Sequence, residues 1–247
     1  MFSKRINLIK KASILALLIT VSALILSACS FNAIRGNGKI TNLELQVVED
    51  IKKIEVKNVP VILNVSAEKN EKVTYKADEN LKDLLNVEIN NGLLKISSKS
   101  NKKLWFNSKI VFNIGTDTLE EISIDSGAEI KGAGTFTSDT FTINVDGATK
   151  LNMNLDSDKV ILKVNGAASV NLVGKTKDFE ITGGGAFDVK CKELKADSVL
   201  INYDGTVNME VYANTRLTVK GAGVYYIKYW GNAVVYDEGY GYIQKHK

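Results

Sequence analysis

The stretch Val145-Asp146-Gly147-Ala148 returns 19 residues later as Val164-Asn165-Gly166-Ala167. In both copies a polar residue and a glycine follow an alternating apolar segment, which is typical of a tight corner after a short strand. Close or looser copies run from residue 124 to residue 239, with a mean separation of about 19 residues. They are Ile124-Asp125-Ser126-Gly127, Ile181-Thr182-Gly183-Gly184, Tyr203-Asp204-Gly205-Thr206, Val219-Lys220-Gly221-Ala222 and Tyr236-Asp237-Glu238-Gly239.

A repeat of this length predicts stacked units. About 19 residues hold two short strands and cannot bury their own apolar face, but stacked copies form a continuous core. We therefore predict an all-β fold, a parallel β-helix (β-solenoid) with about 19 residues per coil. An antiparallel β-barrel or sandwich is the alternative, because Asp-Gly turns also close hairpins.

The segment before the repeats alternates with a period of two from Ile40 to Ile114. Asn91-Gly92 predicts a hairpin, because both central positions of a type I′ turn need positive φ. Only residues 79–85 indicate a helix, and the absence of a sustained helical period argues against a Rossmann or P-loop enzyme. We predict one domain over residues 40–247, with an irregular N-terminal part (40–118) and the glycine-corner repeats (119–247).

Several of these motifs occur together in a known bacterial family. Four features carry the resemblance: Gly36-Asn37-Gly38-Lys39-Ile40, residues 48–56, the Asn91-Gly92 hairpin and the glycine corners. Together they resemble the family called putative auto-transporter adhesin head, GIN domain, over roughly residues 36–240. The resemblance implies a right-handed β-helical domain in exported proteins that are often lipoproteins, and it brings no catalytic residues. This chain has Asp-Gly and Asn-Gly where the family commonly has Ser-Gly-Ser-Gly corners.

The first residues predict export and lipid attachment. Basic residues precede the uncharged stretch from Ala12 to Leu26, which has the length of a signal-peptide core and not of a membrane span. Leu26-Ser27-Ala28-Cys29 resembles a bacterial lipobox, with cleavage between Ala28 and Cys29 and a diacylglyceryl group on the Cys29 thiol. Residues 1–28 are then a lipoprotein signal peptide and 29–39 a lipidated tether. We expect the mature protein on a cell membrane or outer membrane, outside the cytoplasm.

The charge argues against a nucleic-acid partner. The formal net charge is +4, and Lys4, Arg5, Lys10 and Lys11 supply all of it. Without residues 1–28 the chain has 32 − 4 = 28 basic and 28 acidic side chains, a net charge of zero. The mature protein therefore has no overall positive charge to attract a phosphate backbone.

The composition also disfavours an enzyme. One histidine, His246, and two cysteines leave little for a catalytic triad or a zinc site, so we expect no catalytic residue, no metal and no cofactor. Cys191 lies in an alternating segment, Phe187-Asp188-Val189-Lys190-Cys191, and is predicted to be a buried thiol. The recurring corner carboxylates are explained by turn chemistry, since the nonapeptide calcium pattern of solenoids is missing.

Aromatic residues concentrate near the C-terminus. Seven of the 19 aromatic residues lie between residues 225 and 242, and adjacent tyrosines must point to opposite faces of a strand. We predict either a cap over the last coil or a binding surface for a glycan or an envelope protein. The candidate residues of that surface are Tyr225, Tyr226, Tyr229 and Trp230.

The sequence contains a second candidate surface patch, and it allows two functions besides the main prediction. A basic and aromatic patch is formed by Lys102, Lys103, Leu104, Trp105 and Phe106. We expect this patch to dock on the fold or on the nearby membrane.

The main prediction is an exported surface lipoprotein with a binding or structural, adhesin-like domain. The alternatives are a glycan-active enzyme and an envelope assembly or stress factor that binds a membrane partner.

Overall fold

The structure, a computed structural model, describes residues 33–246. These residues form 14 strands and one 3₁₀ helix, which spans Glu79–Leu84. The all-β character predicted from the sequence is confirmed, and the short helix lies where the sequence indicates one. The strands are β1 Ala33–Arg35, β2 Ile40–Gln46, β3 Lys53–Lys57, β4 Val61–Ser66, β5 Lys72–Asp78, β6 Leu85–Asn90, β7 Leu93–Ser98, β8 Lys103–Trp105, β9 Ile110–Gly115, β10 Glu121–Ile124, β11 Ala128–Lys220, β12 Val224–Trp230, β13 Val234–Asp237 and β14 Tyr242–Lys245.

Twelve strands form one mixed sheet, and β1 and β8 form a separate two-stranded sheet. β2 pairs with β5, β5 with β9 and β6 with β7 in antiparallel fashion, while the other pairings in the large sheet are parallel. The predicted right-handed parallel β-helix is therefore wrong, and the alternative of a barrel is favoured, here as a nearly closed barrel of mixed strands.

The reason for the error lies in the N-terminal part. Residues 40–118, predicted to be irregular, contain β2 to β9, and the antiparallel pairing of β5 with β9 joins segments that are far apart in sequence. Local periodicity shows that a segment is a strand, but it does not show which distant strand it pairs with or in which direction.

The glycine-corner repeat corresponds to the very long strand β11. Straight, its 93 residues would span roughly 300 Å. Instead, β11 passes itself at an offset of about 19 residues: the hydroxyls of Ser138 and Ser157 lie 3.1 Å apart, and Asn154 Nδ2 donates to Thr135 Oγ1 at 2.8 Å. The 19-residue repeat of the sequence is thus the distance along the chain between neighbouring passes.

Several corners require a glycine for a steric reason. Gly166 has a φ of 126°, and Gly221 has a φ of 134°, in the region that residues with a Cβ atom avoid. A Cβ atom at Gly221 would also overlap the carbonyl oxygen of Tyr203 in the neighbouring pass. The predicted positive φ at these corners is confirmed.

One hydrophobic core fills the interior, from Ile51 to Tyr229. Alternating residues of each strand point into it, as in β4, where Val61, Leu63 and Val65 are buried and the residues between them are half-buried. The predicted hairpin at Asn91-Gly92 joins β6 to β7, with φ values of 52° and 74° at the two central residues.

Candidate binding surface

Strand β12 places the four candidate residues on two different faces. Tyr225 and Tyr229 point into the core and are 4% and 8% exposed. Tyr226 and Trp230 point outward, together with Lys228. The strand alternates in this way because its inward residues complete the core beneath the last strands. Only Tyr226 and Trp230 of the four can therefore contact a partner without local unfolding.

Tyr225 is held in place by the last residue of β13 and by the residues that follow this strand. Its hydroxyl donates a hydrogen bond to the carboxylate of Asp237, and its ring lies against the backbone of Gly239 and Gly241, where a Cβ atom would overlap it. Burial, together with the adjacent Asp237 carboxylate, raises the pKa of Tyr225 to about 12. This tyrosine stays neutral at physiological pH and closes the end of the core.

Tyr226 forms an aromatic column on the outer face. Its ring stacks on Tyr242 of β14, with centroids 5.3 Å apart and planes 9° apart, as their paired register requires. Its hydroxyl donates to Oε1 of Gln244 at 3.1 Å. One face of Tyr226 is therefore covered by a neighbouring ring, which fixes its orientation.

Trp230 forms a second column beside the first. Its ring centroid lies 5.1 Å from that of His246 and 5.5 Å from Nζ of Lys192. The neighbouring Tyr212 has Nζ of Lys195 at 4.2 Å from its centroid. These outer rings are thus accompanied by cations, so the surface is both aromatic and basic.

The most accessible rings lie beyond β12, on Tyr236, Tyr240 and Tyr242, which are 51%, 84% and 55% exposed. Among the described residues, β13 and β14 have one neighbouring strand each, so no further strand covers them. These three tyrosines belong to the aromatic segment of the sequence but are not among the four predicted surface residues. One signal could have identified these tyrosines as exposed. They follow β12, the last strand of the chain that has a neighbouring strand on both sides. We call these three residues and the outward Tyr226 and Trp230 the terminal aromatic surface.

The corner carboxylates bind backbone groups nearby. Asp125 accepts a hydrogen bond from the backbone N–H of Asn58, and Asp204 accepts one from that of Ala222, both at 2.9 Å. Within residues 33–246, no three His, Cys, Asp or Glu side chains come together as metal ligands would. The two hydrogen bonds join residues 67 and 18 positions apart in sequence, so they link neighbouring segments and are not the local turn contacts expected from the sequence.

Two carboxyl groups have a shifted pKa, and both shifts are downward. The Lys69 ammonium lowers the pKa of Asp50 through a hydrogen bond and through its charge. Burial alone would raise the pKa of Asp78, but hydrogen bonds from Ser108, Asn107 and Gly38 outweigh it and lower the pKa. A general acid of a glycosidase needs a raised pKa, so neither group is prepared for that role.

Cys191 lies in the core and is 0% exposed. Burial raises the pKa of its thiol to about 12, which keeps it protonated and unreactive. The predicted lipid-attachment residue Cys29 and its neighbour Ala28 lie outside the described residues. No helix in residues 33–246 combines the length and the apolar character that a membrane crossing requires.

One open surface depression lies apart from the terminal aromatic surface. It has a volume of about 720 Å³ and follows the corners of successive passes, where Ala148, Ala167 and Ala186 leave space. It is an open groove that is also lined by Lys150, Phe187 and Thr149, and the Thr149 hydroxyl is buried without a hydrogen-bond partner among the described residues.

The fold and this surface define an all-β domain with an exposed aromatic end. A family model described as "Putative auto-transporter adhesin, head GIN domain" matches residues 50–233, so the chain belongs to this family. The resemblance noted in the sequence is thereby confirmed. A search of curated proteins found no match.

Solved structures share the fold. A protein from Bacteroides fragilis described as a putative adhesin is 21% identical, with a TM-score of 0.76 over 86% of this chain and 100% of that one. A putative adhesin from Parabacteroides merdae is 20% identical, with a TM-score of 0.66 over 87% of this chain and 100% of that one. A protein from Parabacteroides distasonis described as a putative lipid binding protein is 20% identical, with a TM-score of 0.62 over the same shares. At these identities the likeness concerns the fold alone.

Proposed function

We propose that this protein is a lipid-anchored, non-catalytic adhesion protein that binds a glycan outside the cell through its terminal aromatic surface. Membership of an adhesin head family supports a binding role at the cell surface over catalysis. The observation that carries the proposal is the exposure of Tyr236, Tyr240 and Tyr242 on strands that no other described strand covers.

The chemistry of the surface suits a sugar polymer. Tyrosine rings offer flat apolar faces to the C–H groups of a sugar, while neighbouring polar side chains provide hydrogen bonds to its hydroxyls. Gln244 and Lys228 lie beside the stacked pair of Tyr226 and Tyr242. The stack holds these rings in a fixed orientation, which lowers the entropy lost on binding.

The proposed lipid anchor is based on the predicted signal peptide, residues 1–28, and on Cys29 directly after it. A diacylglyceryl group on Cys29 would place two acyl chains in the membrane, which gives stable attachment where a single chain does not. The terminal aromatic surface lies many strands away from β9, the strand that follows β8. The path along the sheet from β9 to β14 crosses β4, the successive passes of β11, and β12. It consists of about eight inter-strand steps, which correspond to roughly 40 Å measured along the sheet.

A binding screen tests the surface. The chain without residues 1–28 would be screened against cell-wall glycans and envelope proteins, beside a variant with Tyr236→Ser, Tyr240→Ser and Tyr242→Ser. We expect glycan binding by the parent and about tenfold or greater loss in the variant, because removing ring contacts from a binding centre commonly costs this much.

The control is Leu200→Ser, which removes an exposed apolar side chain elsewhere on the molecule. It should bind like the parent, and thermal unfolding should show that both variants are folded. Binding of an envelope protein but of no glycan would replace the ligand class with that of the envelope-partner hypothesis. Equal glycan binding by parent and triple variant would refute the surface assignment.

A further inference from the structure

The opposite end of the molecule begins with a short ribbon next to the predicted anchor. β1 and β8 pair in parallel, with Ala33 opposite Lys103 and Arg35 opposite Trp105. Four Cα steps separate Cys29 from Ala33, and they can span at most about 14 Å. If Cys29 is lipidated, the ribbon lies within that distance of the membrane surface.

The ribbon is fixed to the barrel by a buried carboxylate. Asp78 is 0% exposed and accepts hydrogen bonds from the backbone N–H groups of Gly38 at 2.9 Å, Asn107 at 2.8 Å and Ser108 at 3.2 Å. Asn80 adds a hydrogen bond from its Nδ2 to the carbonyl oxygen of Arg35 at 2.8 Å. The ribbon therefore keeps a defined orientation relative to the core.

Trp105 is the exposed centre of this ribbon. Its side chain is 50% exposed, although most large apolar side chains of the chain are buried. Two cations flank its ring: Arg35 Cζ lies 5.8 Å and Lys103 Nζ 5.3 Å from the centroid. Tryptophan beside basic side chains is the composition that favours the interface between water and lipid headgroups.

The surroundings of Trp105 are basic although the mature chain is neutral. Residues 89–116 contain five lysines and no acidic residue, and residues 30–43 contain Arg35 and Lys39 and no acidic residue. Elsewhere in residues 33–246, twelve lysines form ion pairs with carboxylates. Within the same residues, no ion pair involves the exposed cations of this end: Arg35, Lys39, Lys99, Lys102, Lys103 and Lys109.

We propose that the β1–β8 ribbon is a membrane-docking surface, in which Trp105 inserts among the headgroups and the surrounding cations bind anionic lipids of the membrane that holds the anchor. Unpaired cations complement the negative surface of such a membrane, and the short tether brings them to it. The inference rests on the proposed lipid anchor for its location.

Vesicle binding by a chain without lipid tests the surface independently of the anchor. The probe is the chain from residue 29 onward with Cys29→Ser, which retains all of the core, since the core lies between Ile51 and Tyr229. It would be sedimented with vesicles of phosphatidylcholine alone and with vesicles of equal parts phosphatidylcholine and phosphatidylglycerol. We expect binding to the anionic vesicles only, weakened by added salt.

Charge reversal provides the matched comparison. Lys102→Glu with Lys103→Glu should weaken binding to the anionic vesicles about tenfold or more. Lys150→Glu with Lys163→Glu changes the net charge equally at exposed lysines of β11 and should leave binding within about twofold of the parent. Thermal unfolding of both variants should show that the ribbon mutations do not unfold the barrel.

Fluorescence reports on Trp105 directly. The chain has two tryptophans, so Trp230→Phe leaves Trp105 as the single indole. Its emission should shift to the blue on anionic vesicles, since the indole leaves water. No binding by the parent, equal binding to both vesicle types, equal loss in both charge variants, or unchanged emission would overturn the proposal. Failure of lipid attachment at Cys29 in cells would instead refute the anchor, which vesicle binding does not measure.

Discussion

Asp78 shows how a single residue couples the N-terminal ribbon to the barrel. Its carboxylate is buried, yet three backbone N–H groups hold it in the charged form. Hydrogen bonds to a charged group stabilise a fold more than neutral ones do, and their loss leaves buried donors without an acceptor. No sequence pattern identifies this role, because its donors come from segments up to 40 residues away.

Asp78→Asn should lower the free energy of unfolding at pH 7 by about 2 kcal/mol, because the amide presents donors to backbone donors. The pKa of Asp78 is lowered in the fold, so its stabilisation is present above the ordinary value of 3.8 and is lost as the pH falls through the folded value. The difference between parent and variant in urea unfolding should therefore shrink below about pH 4. Asp139→Asn, at an exposed position, is the control. A difference that does not change with pH would contradict this account.

Cys191 should be unreactive in the folded protein. With a pKa of about 12 and no exposed surface, roughly one thiol in ten thousand would be ionised at pH 8. In the chain with Cys29→Ser, a thiol reagent at pH 8 should react slowly with the native protein and rapidly after unfolding in guanidinium. Rapid reaction of the native protein would mean that this strand is open to solvent.

The elements could be predicted better than their arrangement. Alternation located the strands, Asn91-Gly92 located a hairpin, and the glycine corners located the bends of β11, because each depends on neighbouring residues in the chain. The strand directions were predicted wrongly, since β5 pairs with β9 across a long stretch of chain. Of the four predicted surface residues, Tyr225 and Tyr229 are core residues, and the outermost tyrosines were not selected.

The glycine corners should be sensitive to a single methyl group where neighbouring passes are closest. Gly221→Ala forces a positive φ on alanine and makes its Cβ atom overlap the carbonyl oxygen of Tyr203. We therefore expect the free energy of unfolding, measured by thermal unfolding, to fall by more than about 2 kcal/mol. At Gly127 a Cβ atom would have its nearest neighbour at 3.8 Å, so Gly127→Ala should change stability little. Equal effects at both positions would show that the corner geometry is not what limits stability.

The whole molecule has two chemically different ends. One end carries the unpaired cations and Trp105 next to the tether, and the other carries the terminal aromatic surface roughly 40 Å away along the sheet. A lipid anchor at the basic end would leave the aromatic end free to meet a partner. This polarity could not be predicted from the sequence, because residues 29–247 have a net charge of zero and the ends are defined only by strand pairing.

Lipid attachment at Cys29 predicts that replacing this residue changes how the protein is processed and whether it fractionates with membranes. Cys29→Ala removes the thiol that would take the diacylglyceryl group, so the variant should lose processing and should no longer carry acyl chains. Metabolic labelling with a fatty acid should mark the parent and not the variant. Normal processing and unchanged membrane fractionation of Cys29→Ala would contradict the anchor.

Attachment of intact cells tests the adhesion proposal most directly. Cells producing the full chain would be applied to surfaces coated with cell-wall glycans, beside cells producing the triple variant of Tyr236, Tyr240 and Tyr242 to serine. The corresponding phenylalanine variant, which keeps the rings, is the matched control, and surface amounts would be equalised by antibody labelling. We predict attachment by the parent and the phenylalanine variant and its loss in the serine variant; attachment of serine-variant cells as strong as that of the parent would contradict the account.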